Sequence, residues 1–374
     1  MELYLYVRHF PAEGDRLHDG IVKAVHGLAT GLVAVGAKVT ILCESSAIAD
    51  SSHQTDAGYR IECFANPIQH RPAFRLSESL KFYIANLPHR SRVILNGILH
   101  PSIYAMAQLC QQCGVPYIVA PHDVYSPEMF RKNPHLKWVY WYLFEKRTLQ
   151  QAKAVQLLDL RQEKWLLRLG IQTPCFEIPN GFSPADILPD DSLRWNTQAT
   201  PRILFFGRLD AHHKGLDRLL DAFRKVVKLT DAQLTLQGPD QGDRTRLQKR
   251  ARSMVAKNQV IFLEPEYEKS PTAAIAPYDI FCLPSRYEGF GLSALEAMLA
   301  GRVLLVSQSA GIAPHVQMSG CGLVVKPEVT AIKSGLLELL QRRGEWRSMG
   351  LRGRQYALEQ LNWQRIGAKA LRQY

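Results

Sequence analysis

No stretch of this 374-residue sequence approaches the roughly 20 consecutive apolar residues that a bilayer-spanning helix requires, so no transmembrane anchor is expected within it. The N-terminus carries no basic stretch ahead of an apolar run and no small-residue cleavage site. Met1 to Val7 therefore reads as a first strand rather than a secretion signal. Cysteines number seven, an odd count without framework spacing, which suits a reducing cytoplasm. The C-x-x-C of Cys110 and Cys113 lacks the second pair that a zinc site would need and reads as two neighbours on one helix. The adjacent His212 and His213 cannot share one helix face, so no metal ligand set is expected. Acidic residues are the scarcer sign: 46 Lys and Arg against 34 Asp and Glu leave a net charge of +12. That excess attracts an anion, whether nucleic acid, an anionic membrane surface or a phosphorylated substrate.

What is present is an alternation of short apolar runs and longer amphipathic segments. Hydrophobic residues make up 46% and charged residues 21%, a globular balance, and the length suits two domains. In the first half, strands are expected at Leu3 to Val7, Lys38 to Cys43, Tyr59 to Phe64, Arg92 to Leu95 and Pro116 to Ala120. A helix over Ile21 to Val35 keeps an apolar period and closes at Gly36. Residues 183–200, rich in Pro, Asp and Ser, read as a linker. The second half repeats the pattern with strands at Ile203 to Phe206, Gln233 to Gln237, Val260 to Leu263, Ile280 to Leu283 and Val303 to Ser307. Its first helix shows Leu216, Leu219, Leu220, Phe223 and Val227 on one face. The fold class is α/β, with two doubly wound, Rossmann-like domains facing a cleft: 1–182, then 201–357, with a C-terminal helix over about 358–374.

Residues 284–301 hold the densest set of chemistry-bearing groups. A strand feeds a turn holding Glu288, Gly289, Phe290 and Gly291, and Leu292 opens an apolar helix containing Glu296. Unpaired N–H groups and the helix dipole favour an anion at such a start, and glycine lets the backbone approach it. Ser293 and Glu296 also have capping-box spacing, which would make Glu296 structural. Arg208 follows a strand directly and Lys214 precedes a helix; both could be solvated charges, and a diphosphate clamp fits their place at a strand's carboxyl end better. His122 follows an apolar strand, and Gly20 lies at the first strand-to-helix turn. Residues 131–153 mix six cations with Trp138, Tyr140, Trp141, Tyr142 and Phe144; they read as a core-packed helix with a solvated basic face, or alternatively as an interfacial membrane helix.

The set Gly207-Arg208, Lys214-Gly215, Pro284-Ser285, Glu288 to Leu292, Glu296-Ala297 and Gly301 resembles the nucleotide-sugar-binding half of the retaining glycosyltransferases of family 4, or group 1, which have the GT-B fold. The resemblance runs over roughly residues 202–327; in the first half Gly20, Pro121-His122 and Pro179-Asn180-Gly181 match more loosely, with Asp19-Gly20 where the family has a glycine pair. It implies that Arg208 and Lys214 hold the donor's diphosphate, and that Glu296 binds the ribose hydroxyls. It further implies that Glu288 and the backbone of Gly289, Phe290, Gly291 and Leu292 hold sugar and phosphate, that Gly20 lies at the donor, and that His122 faces the reacting sugar across the cleft. The last helix would cross back onto the first domain.

The implied reaction moves a sugar from a nucleoside-diphosphate sugar to a glycan, lipid-linked or small-molecule acceptor with retention of configuration, in polysaccharide or cell-envelope glycan synthesis. It is expected in the cytoplasm, peripherally on the membrane, with neither cofactor nor metal and with no nucleic acid partner. The residues suit it, because a nucleoside diphosphate leaves as an anion that cations and a helix N-terminus stabilise, whereas a glycosidase needs a paired acid carboxyl. A GT-B epimerase or phosphorylase and a non-catalytic basic binding protein are the competing readings.

Overall fold

The computed structural model describes residues 2–11, 19–66, 74–195, 198–252 and 259–374. They form two compact units, Met1–Gly181 with Trp363–Tyr374, and Phe182–Asn362.

The first unit holds strands β1 (Glu2–Val7), β2 (Lys38–Ser45), β3 (Ser51–Gln54), β4 (Arg60–Ala65), β5 (Arg92–Asn96), β6 (Tyr117–Ala120), β7 (Ala154–Leu157) and β8 (Cys175–Glu177). Its helices are α1 (Gly20–Ala34), α2 (Glu78–Ala85), α3 (Pro101–Gln112), α4 (Pro127–Arg131), α5 (Pro134–Tyr140), a π-helical turn (Trp141–Glu145), α6 (Lys146–Gln150) and α7 (Glu163–Arg168). The sheet order is β3-β4-β2-β1-β5-β6-β7-β8, with β3 antiparallel on β4 and the other pairs parallel. Successive residues are buried in Leu3 to Val7, Val93 to Leu95 and Tyr117 to Ala120, the continuous pattern of a sheet covered on both faces. β3, β7 and β8 were not expected from the sequence; β3 (Ser-Ser-His-Gln) is polar and β8 has three residues.

The second unit holds β9 (Arg202–Phe206), β10 (Gln233–Gln237), β11 (Val260–Leu263), β12 (Ile280–Leu283), β13 (Val303–Ser307) and β14 (Gly322–Val325), in the order β11-β10-β9-β12-β13-β14 and all parallel. This is the doubly wound order 3-2-1-4-5-6. Its helices are α8 (Leu216–Val226), α9 (Arg244–Arg252), α10 (Pro271–Ile275), α11 (Leu292–Leu299), α12 (Ala313–Ser319), α13 (Val329–Gln341) and α14 (Trp346–Gln360). In α8 the buried face is completed by Val226 rather than the expected Val227, because the helix ends at that residue.

The last helix, α15 (Trp363–Gln373), belongs to the first unit and packs on α1. Glycines make the approach possible: a Cβ on Gly31 would lie 2.0 Å from the Trp363 carbonyl oxygen, and one on Gly367 would lie 2.4 Å from the Gly31 backbone. Trp363, Ile366, Ala370 and Tyr374 are thereby buried in the core of the first unit, and each large side chain contributes about 1.5–3 kcal/mol.

Two expected boundaries move. The described residues of the expected linker, 183–195 and 198–200, belong to the second unit rather than joining the two. The buried Arg354 guanidinium donates to Asp190 at 2.8 Å and to the Leu188 and Leu299 carbonyls, while Trp195 Nε1 donates to the Gly301 carbonyl at 2.9 Å. Buried guanidinium groups need several acceptors, and this stretch supplies them. The second unit also extends to Asn362 rather than 357, since α14 lies on α11 and α12 and the chain leaves it only at the break before Trp363.

Candidate active site

In the second unit β9 and β12 are neighbours although β10 and β11 separate them in sequence, so the strand order reverses between them. Loops after those two strands flank the crevice at which doubly wound sheets bind ligands. They are the loops 207–215 and 284–291. Gly215, with φ +68°, caps α8; a Cβ there would sit 2.3 Å from the Pro284 carbonyl oxygen, so glycine is what lets the two loops touch. Arg286 fastens them. Its guanidinium forms a bidentate pair with Asp217 at 2.8 and 2.7 Å and also donates to the Ala211 and His212 carbonyls.

Within this frame Lys214 Nζ lies 2.5 Å from Glu288 Oε2, and both side chains are nearly buried. Ser285 Oγ donates to the same carboxylate oxygen at 3.1 Å, and Ser307 Oγ donates to the Ser285 carbonyl at 2.6 Å. Burial pushes the Glu288 carboxyl up, but the Lys214 ammonium, His213 and the two hydrogen bonds overcome it, leaving the group below the usual carboxylate value. The His213 ring stacks flat on Tyr287, with centroids 4.2 Å apart and an interplanar angle of 7°. Burial and the Lys214 charge push that ring down to about 4, so it is neutral at pH 7. Arg208 is exposed at the mouth of the same loop, and among the described residues its side chain has no hydrogen-bond or ion-pair partner.

The helix start differs from the capping-box expectation. α11 begins at Leu292 with Gly291 as its N-cap, at φ +104°, and no side chain caps it. Ser293 is therefore the second helical residue and cannot form a box with Glu296, which is half-buried on α11. An uncapped start leaves the first N–H groups to a ligand or solvent. A Cβ on Gly291 would lie 2.6 Å from Leu283, so the turn closes tightly. Gly289 and Phe290 are buried, and Phe290 accepts from Ile312 N–H at 2.8 Å.

In the first unit the order reverses between β1 and β5, and His122 is found in the loop after the next strand, β6. Its φ is +59°, left-handed backbone that a histidine seldom adopts. The ring is fixed through Nε2, 2.8 Å from Asn96 Oδ1. Because Asn96 Nδ2 already donates to the Tyr6 and Ile94 carbonyls, Oδ1 is the face turned to the ring, and Nε2 carries the proton. Nδ1 is then a lone-pair acceptor; it is buried and has no partner among the described residues. Burial pushes the imidazole down to about 4, which keeps it neutral. Gly20 is the first residue of α1 and is exposed, but Asp19 fills the helix start: its carboxylate accepts from Ile21 and Val22 N–H at 2.7 and 3.2 Å. An anionic ligand would meet a carboxylate there. α11, by contrast, is open.

Lys214, Glu288 and the glycine turn thus come together, with Arg208 and Glu296 in the same unit, while His122 and Gly20 belong to the other unit. Sequence reasoning gave no role to Arg286, Asp217, Ser307 and Asn96, quoted Ser285 only within the motif, and weighed His213 only as a metal ligand. Ser285 and Arg286 lie inside the motif, and Asp217 two residues beyond Gly215, so their placement was the available signal.

Two α/β units built on mainly parallel sheets, one with a cation–carboxylate pair and an open helix start at its switch point, define the class of protein as doubly wound α/β, with the crevice geometry that suits an anion. The glycosyl transferases group 1 family model matches residues 193–356, and the glycosyltransferase family 4 model matches residues 18–186. The chain belongs to this family, and its fold is GT-B. It is similar to a phosphatidyl-myo-inositol mannosyltransferase of Mycobacterium leprae, 27% identical over 59% of this chain and 58% of that protein, so the match spans less than two thirds of the relative's length. An uncharacterized glycosyltransferase of Methanocaldococcus jannaschii is 23% identical over 84% of this chain and 83% of its own. Among solved structures, sucrose-phosphate synthase from Thermosynechococcus elongatus superposes with a TM-score of 0.79 at 20% identity, covering 100% of this chain and 98% of that one. An Anabaena protein solved with UDP and glucose gives 0.71 at 15% identity, covering 100% and 99%. No described helix is long and apolar enough to cross a membrane.

Proposed function

We propose that the protein transfers a hexosyl group from a nucleoside-diphosphate sugar to a glycan or lipid-linked acceptor, with retention of anomeric configuration, in the assembly of a cell-envelope glycan or polysaccharide. The observation that carries this reading is the Lys214–Glu288 pair beside the uncapped start of α11 at the switch point. The bond to be broken joins the anomeric carbon to a diphosphate oxygen, and the departing group is an anion. Lys214, Arg208 and the α11 N–H groups supply the positive charge that stabilises it, so no acid catalyst is required. Glu288 positions Lys214 and accepts sugar hydroxyls, and Glu296 accepts the ribose hydroxyls. His122 Nδ1 accepts a hydroxyl of the sugar undergoing transfer. The mycobacterial relative is named as a mannosyltransferase of a phosphatidylinositol, and a Bacillus anthracis relative, 29% identical over 41% of this chain and 40% of its own, as an N-acetylglucosaminyl malate synthase. Both names are compatible with a hexosyl donor and leave the acceptor open.

A thermal-shift and turnover screen over UDP, GDP and ADP sugars tests the reading. One donor should raise the melting temperature and release its nucleotide faster when acceptor is added, and the Lys214→Ala variant should bind it more weakly. Absence of stabilisation and turnover across the panel would refute the assignment. Conversion of the donor to an isomer without acceptor would identify an epimerase instead.

A further inference from the structure

α5, the π-helical turn and α6 form one continuous, outward-facing surface in the first unit. Leu136, Val139, Tyr142 and Leu143 project from it and are 63, 58, 67 and 59% exposed. Their spacing of three, three and one residues places them along one stripe, the reverse of a core-facing helix, whose apolar residues point inward. The inward side is occupied by other groups: Trp141 and Glu145 are buried, and Trp141 meets Tyr125 and Phe130 edge-on. Trp138 is stacked on Phe130 at 4.3 Å and faces Tyr142 at 5.9 Å, so the exposed stripe is braced from beneath.

The charges around it are mainly cationic, the exception being Glu128, which pairs with Arg131 at 2.8 Å; beyond that pair stand Lys132 and Arg147. Arg131, Lys132 and Arg147 are exposed at its two ends. Over residues 131–153 Glu145 is the sole carboxylate, and it is buried, bonded to Tyr125 and to Leu99 N–H. The outer face therefore presents aliphatic and aromatic groups framed by cations. A second copy of the chain would place cations against cations in a two-fold contact. Nucleic acid would answer the cations and leave Leu136, Val139 and Leu143 without a partner. A bilayer with anionic headgroups satisfies both, taking the apolar groups below the headgroups and the cations among them.

We propose that this face docks the first unit on the surface of an anionic lipid bilayer, lying in the interface without crossing it. The segment follows the His122 loop through α4, so docking would bring the loop's end of the unit to where a lipid-linked acceptor is embedded. That last clause rests on the transfer reaction proposed above; the docking does not.

The full-length protein, without donor, should sediment with phosphatidylcholine–phosphatidylglycerol vesicles at low salt, and far less with phosphatidylcholine alone. A Leu136→Ser/Leu143→Ser variant should lose about tenfold or more in partitioning while keeping its melting temperature. A Lys132→Gln/Arg147→Gln variant should bind more weakly with a shallower salt dependence. Both variants should keep wild-type turnover on a water-soluble acceptor. Three results would each overturn the proposal: no sedimentation at low salt, sedimentation unaffected by either variant, or a wild-type dimer in light scattering that the leucine variant dissolves while vesicle binding persists. If neither wild type nor variants turn over any donor but vesicle binding follows the expected pattern, the enzymatic reading falls and the docking stands.

Discussion

Replacing Lys214 with methionine keeps most of the side chain's length and removes the ammonium that faces Glu288. The Glu288 carboxylate, 13% exposed, would retain Ser285 Oγ as a donor and lose its main countercharge. Breaking a buried pair from one side costs about 3–5 kcal/mol, and the remaining serine bond places this case near the lower end, about 3 kcal/mol. For a unit of this size that lowers the melting temperature by roughly 6–12 °C. The cost should also depend on pH. In the wild type the folded carboxyl lies below its unfolded value, so its stabilisation is present above the unfolded value of 4.5 and is lost as pH falls through the folded one. In the variant burial is no longer opposed by Lys214 and holds the group above 4.5. The folded state then binds the proton more tightly than the unfolded chain, and the penalty is full at neutral pH and disappears as pH drops below the unfolded value. Circular-dichroism melts of both proteins between about pH 4 and pH 8 should show the gap closing on acidification. A gap that stays constant across that range would mean that packing, not the buried charge, sets the cost, and the electrostatic account of the site would be wrong.

Glu145 should show the opposite linkage: burial pushes its carboxyl up to about 7, so its folded form holds a proton that the unfolded chain releases above 4.5. Stability is thus fully present below the unfolded value and declines as pH rises to about 7, by about 3 kcal/mol, and Glu145→Gln should flatten the melting profile and raise the melting temperature at pH 8. Gly367→Ala, which forces a Cβ into the Gly31 backbone, should destabilise the first unit by about 2 kcal/mol or more and expose α15 to proteolysis, whereas Gly344→Ala, with open space around it, should be neutral. His122→Phe keeps the ring but loses both Nδ1 and the Nε2–H that serves the buried Asn96 Oδ1, so turnover should fall roughly ten- to a hundredfold and stability by about 1–3 kcal/mol; recovery of activity by a glycine at the same left-handed position would show that backbone strain, not Nδ1, set the loss.

Strands β10 to β13 fall where the sequence places them, because each is a short run rich in apolar residues bounded by turn residues; β12 and β13 are buried throughout, whereas β11, at the sheet edge, alternates half-buried and exposed residues. β14 escaped notice since its four residues are only half-buried and carry no alternation. The serine and glutamate of α11 show the limit of a local pattern. Their spacing fits a capping box, but the left-handed Gly291 starts the helix two residues before Ser293. The basic aromatic segment had two readings, and its burial pattern supports elements of both: Trp141 and Glu145 turn inward while Leu136 and Leu143 stay out.

By itself the sequence determined the alternation of strands and helices, the two-unit plan, and the residue types gathered at the turn from Glu288 to Glu296. These follow from hydrophobic period and turn chemistry, which act over a few residues and leave their mark in the chain. Which distant residues become partners was decided by tertiary structure alone. Lys214 meets Glu288 across 74 positions because β9 and β12 lie side by side; Asn96 fixes the His122 tautomer because β5 adjoins β6; and α15 returns to α1 where glycines leave room. Strand order and close approach depend on how whole layers pack, and no local window of sequence contains that information.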